Sequence, residues 1–305
     1  MKWKKLGRVF VADKSQPWMQ SHAFAPTPWK LNDDMIRVFV AFWDAEKVGR
    51  LGYVDVSAKD PTKVLEVSQK PVLDVGRAGT FDDSGITPAS LVRMPNGSLR
   101  LYYVGWQKGV QVRYYLFSGV AESTDGGKTF KRVQETPVLD RAPGEIYIRT
   151  APYVLKEANG FRVWYLGGNE WVTAGEKQIP TYDLKVSFSS DGLSWSQGKL
   201  VMEADRSKKE IGFGRPWLVQ KPSGFQMYYS IRREDGYRLG YAESVDGVSW
   251  TRKDDQIGLG VSASGWDSEM VCFTALATTR DGSTVMFYNG NNYGETGFGA
   301  AVLEP

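Results

Sequence analysis

The sequence predicts an all-β protein built from repeated antiparallel units, because one turn recurs three times along the chain. The copies occupy residues 123–130, 189–195 and 244–250, and each contains an Asp-Gly pair followed by an aromatic residue. Asp accepts hydrogen bonds from nearby backbone amides and Gly tolerates a positive φ, so the pair favours a tight reversal between strands. The copies lie about 55–65 residues apart, a spacing typical of four-stranded units arranged in a ring. We therefore predict a β-propeller.

The units can be counted from their first and second strands. Each unit begins with a short segment that ends in Pro or a small residue: 22–26, 83–88, 147–152, 211–216 and 269–274. An aromatic-rich segment with strand-like alternation follows each of these: 36–43, 99–106, 161–166, 225–230 and 285–289. Alternation and a high content of β-branched and aromatic residues are typical of strands. The count predicts five blades.

The two ends of the chain are predicted to meet. Four units have a fourth strand of their own, whereas the last unit stops after its third strand at residues 297–303. Residues 3–11 resemble the missing strand, and pairing them with the last unit would cover an exposed sheet edge. The sequence thus predicts one domain over residues 1–305, a five-bladed propeller with four-stranded antiparallel blades and an N-terminal strand that closes the last blade. Two β-sandwiches, the alternative, would leave that strand unexplained.

The composition of the chain excludes several classes of partner and cofactor from the prediction. The net charge is +3 without a long basic run, so nucleic acid is not a predicted partner. No segment approaches the roughly 18 apolar residues that a membrane span needs. A single cysteine, Cys272, excludes an internal disulfide and fits a reducing compartment, which predicts a cytoplasmic protein. Because no zinc, calcium or nucleotide motif is present, we predict no metal and no cofactor.

Ionisable residues are expected to converge on the axis, because the first strand of each propeller blade lines it. The candidates near these strands are His22, Asp82, Asp83, Glu145, Arg149, Glu210, Arg215, Asp267 and Glu269. Burying carboxylates side by side is costly and separates their pKa values, which is more typical of a functional site than of a structural one. The alternative is a structural network in which Arg149 and Arg215 pair with Glu145 and Glu210 and pin the blades together.

Aromatic and polar residues at the ends of the second strands are candidates for sugar binding. Trp43 and Trp106 could stack on sugar rings there, with core packing between blades as the alternative. Asn289 ends the second strand of the last unit and is a candidate substrate ligand. His22 is the only histidine, and its candidate roles are acid or base, phosphate ligand, or wall residue.

The five-unit layout and the Ser-x-Asp-Gly-x-x-Trp turns resemble the five-bladed propeller glycosidases. This superfamily includes the arabinanase/xylosidase, invertase/levansucrase and mannoside phosphorylase families. The strings at 81–88, 264–271, 288–291 and 294–299 resemble uncharacterised, invertase-like bacterial proteins associated with surface-polysaccharide genes. The resemblance implies a carbohydrate or glycoconjugate substrate and a role in carbohydrate metabolism, with polysaccharide biosynthesis as the expected setting.

The resemblance also implies a catalytic arrangement. The superfamily uses an Asp of the first blade as nucleophile or base and a Glu as general acid, but blade one here offers only Gln20-Ser-His22. We therefore predict a glycoside hydrolase or transglycosylase in which Asp83 is the base or nucleophile and Glu210 or Glu269 is the general acid. The other axial candidates are expected to bind substrate.

Two alternatives stay open at this point. A glycoside phosphorylase or sugar transferase would use basic residues to bind phosphate, with candidates Arg149, Arg215, Arg232, Arg233 and His22. A non-catalytic carbohydrate-binding propeller would explain the missing blade-one Asp. Because acidic residues outnumber arginines among the axial candidates, the sequence favours a neutral sugar over phosphate.

Overall fold

The computed structural model describes residues 1–174 and 177–304, and the regular structure of these residues consists almost entirely of strands, most of them paired antiparallel. The strands are β1 (Trp3–Phe10), β2 (Ser21–Lys30), β3 (Met35–Trp43), β4 (Gly49–Ser57), β5 (Val64–Val67), β6 (Ile86–Arg93), β7 (Leu99–Lys108), β8 (Tyr114–Ser123), β9 (Lys131–Arg132), β10 (Ile148–Glu157), β11 (Gly160–Ala174), β12 (Lys177–Ser189), β13 (Lys199–Met202), β14 (Gly212–Lys221), β15 (Gly224–Arg233), β16 (Gly236–Ser244), β17 (Thr251–Arg252), β18 (Cys272–Thr278), β19 (Thr284–Asn289) and β20 (Phe298–Leu303). A one-turn helix, α1, spans Asn291–Gly294, and short 3-10 turns occupy Arg206–Lys208 and Asp254–Gln256. The described residues contain no helix with the length and apolar character needed to cross a membrane.

Antiparallel pairing groups these strands by fours in chain order. The first unit is β2–β5, the second β6–β9, the third β10–β13 and the fourth β14–β17. The fifth unit contains β18, β19 and β20, with β1 as its outer strand. Short parallel pairings of β8 with β10 and of β12 with β14 join the second, third and fourth units edge to edge. The all-β class and the four-stranded antiparallel units are therefore as predicted.

The first strand of the chain completes the last unit. β1 pairs antiparallel with β20, with Trp3 opposite Leu303 and Phe10 opposite Phe298. The indole of Trp3 is buried against Tyr228 of the fourth unit. This pairing confirms the predicted meeting of the two chain ends, and it covers the β20 edge that would otherwise be open to other chains.

The apolar core lies between neighbouring units. Five clusters of buried side chains each combine residues of adjacent units, so that the first unit shares one cluster with the second and another with the fifth. In the cluster between the fifth and first units, Phe287 and Phe298 pack with Phe42. The sheets therefore pack face to face in a closed succession, as the units of a ring must.

The three repeated Asp-Gly turns follow the third strands of the second, third and fourth units, and each contacts the preceding unit. Within the second unit's turn, the Asp125 carboxylate accepts hydrogen bonds from the backbone amides of Lys128 and Thr129. The turn carbonyls face the preceding unit, where an arginine at the second or third position of the second strand donates to them. The three contacts are Arg37 to Gly126 O, Arg100 to Asp191 O and Arg162 to Asp246 O. The turns therefore fasten neighbouring units as well as reversing the chain.

Each innermost strand carries an irregularity at the same place. The pairing register shifts within β2, β6, β10, β14 and β18. Ala25, Ala151 and Phe273 lie at these shifts with φ of 55°, 50° and 53°, in the left-handed region that non-glycine residues rarely adopt. Such bulges re-aim the backbone and side chains of a strand. They bring the five inner strands to a common cavity.

Candidate functional site

A cavity of about 270 Å³ lies where the inner strands converge. Each unit contributes a residue from the corresponding point of its inner strand: Ala25, Thr87, Ala151, Arg215 and Phe273. The remaining lining residues are Phe24, Trp43, Pro88, Val104, Trp106, Arg113, Tyr114, Leu116, Thr150, Leu166, Tyr182, Phe213, Gly214, Arg232, Tyr237 and Tyr293. Because every unit reaches this cavity, it is the candidate functional site of the fold.

Flat aromatic side chains form much of the wall. Trp43 and Trp106, which the sequence placed at the ends of second strands, both line the cavity and are half-buried. The indole N–H of Trp106 donates to Thr87 Oγ1 at 3.0 Å, and its ring packs on Tyr114 with centroids 5.1 Å apart. The hydrogen bond and the packing fix the orientation of this ring, so that its position does not have to be ordered when a ligand binds.

Arg215 extends along the axis and is the most buried charge in the lining, with 3% of its surface exposed. Its guanidinium donates to the backbone oxygens of Ala25, Pro26, Phe273 and Thr274 and to Thr27 Oγ1, while its Nε has no hydrogen-bond partner. All of these acceptors are uncharged, and burial lowers the Arg215 pKa to about 9. Arg215 therefore joins the inner strands of three units and places a positive charge beside the cavity.

A second arginine acts through tyrosines. Arg232 Nη1 donates to Tyr182 Oη at 2.9 Å, and Tyr182 Oη lies 2.9 Å from Tyr237 Oη. A tyrosine hydroxyl can accept two hydrogen bonds, so either tyrosine can donate to the other, and the hydroxyl that accepts keeps its own proton for a ligand. Burial raises the pKa of Tyr237 above its ordinary value, so this hydroxyl stays protonated at neutral pH. The chain Arg232–Tyr182–Tyr237 thus presents a hydrogen-bond donor to a ligand.

His22 lies behind the aromatic wall and is not part of the lining. Its imidazole stacks on Trp43 with centroids 3.7 Å apart, and its Nδ1 lies 3.0 Å from Ser21 Oγ. Burial lowers the His22 pKa to about 4, despite the opposing influence of the nearby Glu295 carboxylate. At neutral pH the ring is therefore uncharged. Its geometric role is to support the face of Trp43.

The depressed pKa of His22 predicts a pH dependence of stability. The unfolded state binds a proton near pH 6.5 and the folded state only near 4, so stability is complete above the unfolded pKa and falls as the pH drops. We expect the free energy of unfolding to decrease by about 2 kcal/mol from pH 7 to pH 5 through this group. Urea titrations of the wild type and His22→Asn measure it, since Asn tolerates the left-handed φ of 57°. Equal pH slopes in the two proteins would contradict the assignment.

Three of the axial carboxylates predicted from the sequence are held in buried ion pairs away from the cavity lining. Asp82 pairs with Arg132 at 2.8 Å, Glu210 with Arg252 at 2.7 Å and Asp267 with Lys5 at 2.6 Å. Each cation comes from an outer strand: β9, β17 or β1. The carboxylates therefore tie the start of an inner strand to the outer edge of the same unit.

Glu145 and Arg149 form the corresponding network of the third unit. Arg149 Nε lies 2.8 Å from Glu145 Oε2 and Lys185 Nζ 2.9 Å from Oε1, and the Tyr165 hydroxyl donates to the same carboxylate. Tyr103 and Tyr288 occupy equivalent places beside Asp82 and Asp267. The Arg149–Glu145 pair matches the structural network considered as an alternative in the sequence, whereas Arg215 takes no part in one.

The other predicted site residues lie outside the lining as well. The Asp83 carboxylate accepts from the Gly79 amide at 2.9 Å and the Ser84 hydroxyl at 2.8 Å, within the turn before β6. Glu269 is exposed. The buried Asn289 amide bonds the backbone of Ala25, Ala23 and Gly297 and so links the fifth unit to the first. Of the predicted site residues, the cavity brings together Trp43, Trp106, Arg215 and the phosphate-binding candidate Arg232, with His22 adjoining.

Several lining residues had no place among the sequence candidates. Tyr114, Tyr182 and Tyr237 come from the third strands, and Arg113 precedes β8. A signal for the tyrosines is visible in the sequence, because each begins a Tyr-x-Leu triplet near the start of a third strand. Arg113 carries no comparable signal.

Comparisons with known proteins place the chain among relatives. No family model matches it. The chain is 32% identical over 304 residues to the protein named "Uncharacterized protein Rv1502" of Mycobacterium tuberculosis strain H37Rv, covering 100% of both chains. The chain belongs to the Rv1502 family. "Uncharacterized protein MT1551" of strain CDC 1551 is a further relative of the Rv1502 family at the same identity and coverage.

Solved structures share the fold of this Rv1502 family member. A protein described as "Glycoside hydrolase" has a TM-score of 0.76 at 17% identity, covering 99% of this chain and 93% of its own. A glycosyl hydrolase from Bacteroides ovatus has a TM-score of 0.75 at 13% identity, with coverage of 99% and 94%. A structure from work on the GH130 family of mannoside phosphorylases gives 0.73 at 14%, also covering 99% and 94%. At these identities the likeness concerns the fold, and it confirms the resemblance to the propeller glycosidase fold.

Proposed function

We propose that the chain is a single five-bladed propeller domain spanning residues 1–305, and that its axial cavity binds a saccharide. The observation that carries this proposal is the wall of fixed aromatic faces, Trp43, Trp106 and Tyr114 among them, at the point where all five inner strands converge. Aromatic rings pack on the apolar faces of sugar rings, while tyrosine hydroxyls satisfy sugar hydroxyl groups. The glycoside hydrolase fold of the structural relatives supports the same class of ligand.

The size of the cavity fits a small part of a glycan. Ligand pockets are commonly about 300–1,000 Å³, and this cavity of about 270 Å³ lies just below that range. One sugar unit is therefore the natural occupant, with the rest of a longer glycan outside. A cytoplasmic location and a role in polysaccharide biosynthesis stay predictions from the sequence.

Glycoside hydrolysis or transglycosylation is the second candidate, and it depends mainly on Asp83. A general acid needs a raised pKa, but the Glu210 pKa is lowered, because hydrogen bonds and charge from Arg252 outweigh the opposing effect of burial. Asp83 forms no ion pair with any described residue. The turn that contains Asp83 also contacts the end of β7, because the Ser84 amide donates a hydrogen bond to the Trp106 carbonyl oxygen. The predicted role of Asp83 as base or nucleophile is therefore kept, together with that of Glu269 as acid.

If the cavity binds a saccharide, removal of an aromatic side chain from its wall should lower the affinity for that saccharide. Trp43→Ala and Trp106→Ala should each weaken binding at least about tenfold, since a lost stacking surface costs more than about 1.4 kcal/mol. Isothermal titration against a panel of monosaccharides and short oligosaccharides measures the affinity. Trp29→Ala is the matched control, because Trp29 is half-buried outside the lining, beneath Arg93. Binding that survives both wall variants would place the ligand elsewhere.

Hydrolysis predicts a different result for a single carboxylate. Asp83→Asn should reduce the turnover of aryl glycosides at least about a hundredfold, because it removes a charge with little change in volume. Glu269→Gln should reduce turnover comparably if Glu269 is the acid. Melting curves of both variants check that the fold is retained. If the wild type binds saccharides but does not turn them over, the protein is a non-catalytic saccharide binder. If both variants turn over substrate normally, Asp83 and Glu269 are not part of the mechanism.

A further inference from the structure

The cavity has an unusual charge balance. Arg113, Arg215 and Arg232 line it, and among the residues that the structure describes no Asp or Glu contributes to the lining. We propose that the bound saccharide carries an anionic group, a carboxylate or a phosphate ester, which these arginines bind. The inference rests on the proposed saccharide function and specifies its ligand.

The comparison with other arginines of the chain supports this inference. Arg37 pairs with Asp55, Arg149 with Glu145 and Arg252 with Glu210, each at 2.7–2.8 Å. Such pairing is the normal arrangement for a charge removed from water, because an unpaired buried charge is costly. Of the three lining arginines, Arg113 is exposed, Arg232 is half-buried and Arg215 is buried, and none of them forms an ion pair with the described part of the chain. The cavity thus concentrates positive charge that an anionic ligand would balance.

Arg215 supplies a fixed charge at the axis. Its two terminal nitrogens are held by neutral oxygens of the first and fifth units, so the side chain cannot turn away towards solvent. Nε has no partner although it is buried. Since the lining around Arg215 is apolar and aromatic, its field is weakly screened within the cavity. A negative charge there would be attracted more strongly than at the protein surface.

Arg232 and Tyr237 supply donors suited to an anionic oxygen. A guanidinium carries five N–H groups, so the hydrogen bond from Arg232 to Tyr182 leaves others available to a ligand. The Tyr182–Tyr237 pair keeps one hydroxyl proton that can be donated next to them. A guanidinium edge matches the oxygens of a carboxylate or of a phosphate in a bidentate manner. The aromatic wall would then bind the sugar ring while these donors bind its charged substituent.

Matched pairs of probes test the inference. Glucuronate, galacturonate and mannuronate are titrated against glucose, galactose and mannose, which differ from them only at C6. Glucose 6-phosphate and inorganic phosphate test the phosphate source of the same charge. We expect at least one anionic sugar to bind at least tenfold more tightly than its neutral counterpart, with affinity falling as salt is added. A preference for the uronate or for the phosphate ester identifies the source.

Variants assign the binding to the cavity. Arg232→Gln and Arg113→Gln should each weaken the binding of the anionic probe at least fivefold more than that of the matched neutral sugar. Arg233→Gln is the control, because Arg233 is the next residue of the same strand but lies 3.8 Å from Glu210 and not in the lining. Arg215→Lys, which keeps the charge and loses the fork, should weaken the anionic probe if it folds. Melting curves show whether Arg215→Lys folds. If it does not fold, Arg232→Gln and Arg113→Gln provide the test.

Each outcome separates the inference from the function on which it rests. Neutral sugars that bind as tightly as their acids, without an effect of Arg232→Gln, would overturn the inference and keep saccharide binding. Inorganic phosphate that binds through Arg232 while no sugar binds would keep the anion site and overturn saccharide binding. No binding by any probe would overturn both.

Discussion

Removal of residues 1–11 is expected to leave the protein unable to fold stably. The deletion takes away β1, the outer strand of the fifth unit, and with it the buried indole of Trp3 and the Lys5–Asp267 ion pair. Loss of a buried Trp alone costs about 3–5 kcal/mol, and Asp267 would be left buried without its cation. A domain has about 5–15 kcal/mol of stability in total. The expected result is insoluble protein, or soluble protein without a cooperative melting transition.

Graded substitutions distinguish the strand from its individual side chains. Trp3→Ala should lower the free energy of unfolding by about 3–5 kcal/mol. Lys4→Ala should change it by less than about 0.5 kcal/mol, because Lys4 is exposed on the same strand. Circular dichroism and urea titration give both values. A soluble deletion protein with an unchanged melting temperature would contradict the closure of the last unit by β1.

Glu145→Gln is expected to destabilise the protein by about 3–5 kcal/mol, the typical cost of breaking a buried ion pair by removing one partner. The substitution leaves Arg149, which is 7% exposed, without its carboxylate, and it removes the partner of Lys185 as well. Urea unfolding at pH 7 measures the loss. The size of the effect follows from burial, since the freed charge cannot reach water.

A surface pair provides the control for Glu145. Glu135 pairs with Arg77 at 3.0 Å, but the two side chains are 58% and 71% exposed. Glu135→Gln should therefore leave the free energy of unfolding almost unchanged, because water screens an exposed ion pair. If Glu145→Gln were as mild as Glu135→Gln, the buried network would not be a structural element, and a functional role for this carboxylate would regain support.

The fold was predictable because its signals are local and repeated. The Asp-Gly turns mark the outer hairpins, and the basic segment around Trp3 matches the other fourth strands closely enough to predict its pairing with β20. Trp43 and Trp106 were found for the same reason, since the end of a second strand is a position that the repeat defines. Features tied to the repeat could thus be assigned without knowledge of contacts between units.

The charge of the site was not predictable in the same way. The sequence shows more acidic residues than arginines near the inner strands, but it does not show that Asp82, Glu210 and Asp267 meet cations from outer strands. Those pairings join residues 42–262 positions apart. These ion pairs hold the carboxylates outside the cavity lining, whereas Arg215 remains in it. The lining is therefore positively charged and not negatively charged. This reversal is the basis for proposing an anionic sugar where the sequence favoured a neutral one.

The arginine contacts to the Asp-Gly turns have a consequence for how such a chain can arise. Each unit from the first to the third carries the donor for the next turn, and each from the second to the fourth carries the acceptor for the previous arginine. A duplicated unit therefore brings both the donor and the acceptor of a head-to-tail contact between units. Repeated contacts of this type close into a ring when the rotation from one unit to the next allows it. In the fifth unit the place of this turn, between β20 and β1, is occupied by the chain termini, and the fourth unit has Gln226 where the donor would be. Among the described residues, this contact therefore joins the first four units in succession and is absent from both interfaces of the fifth.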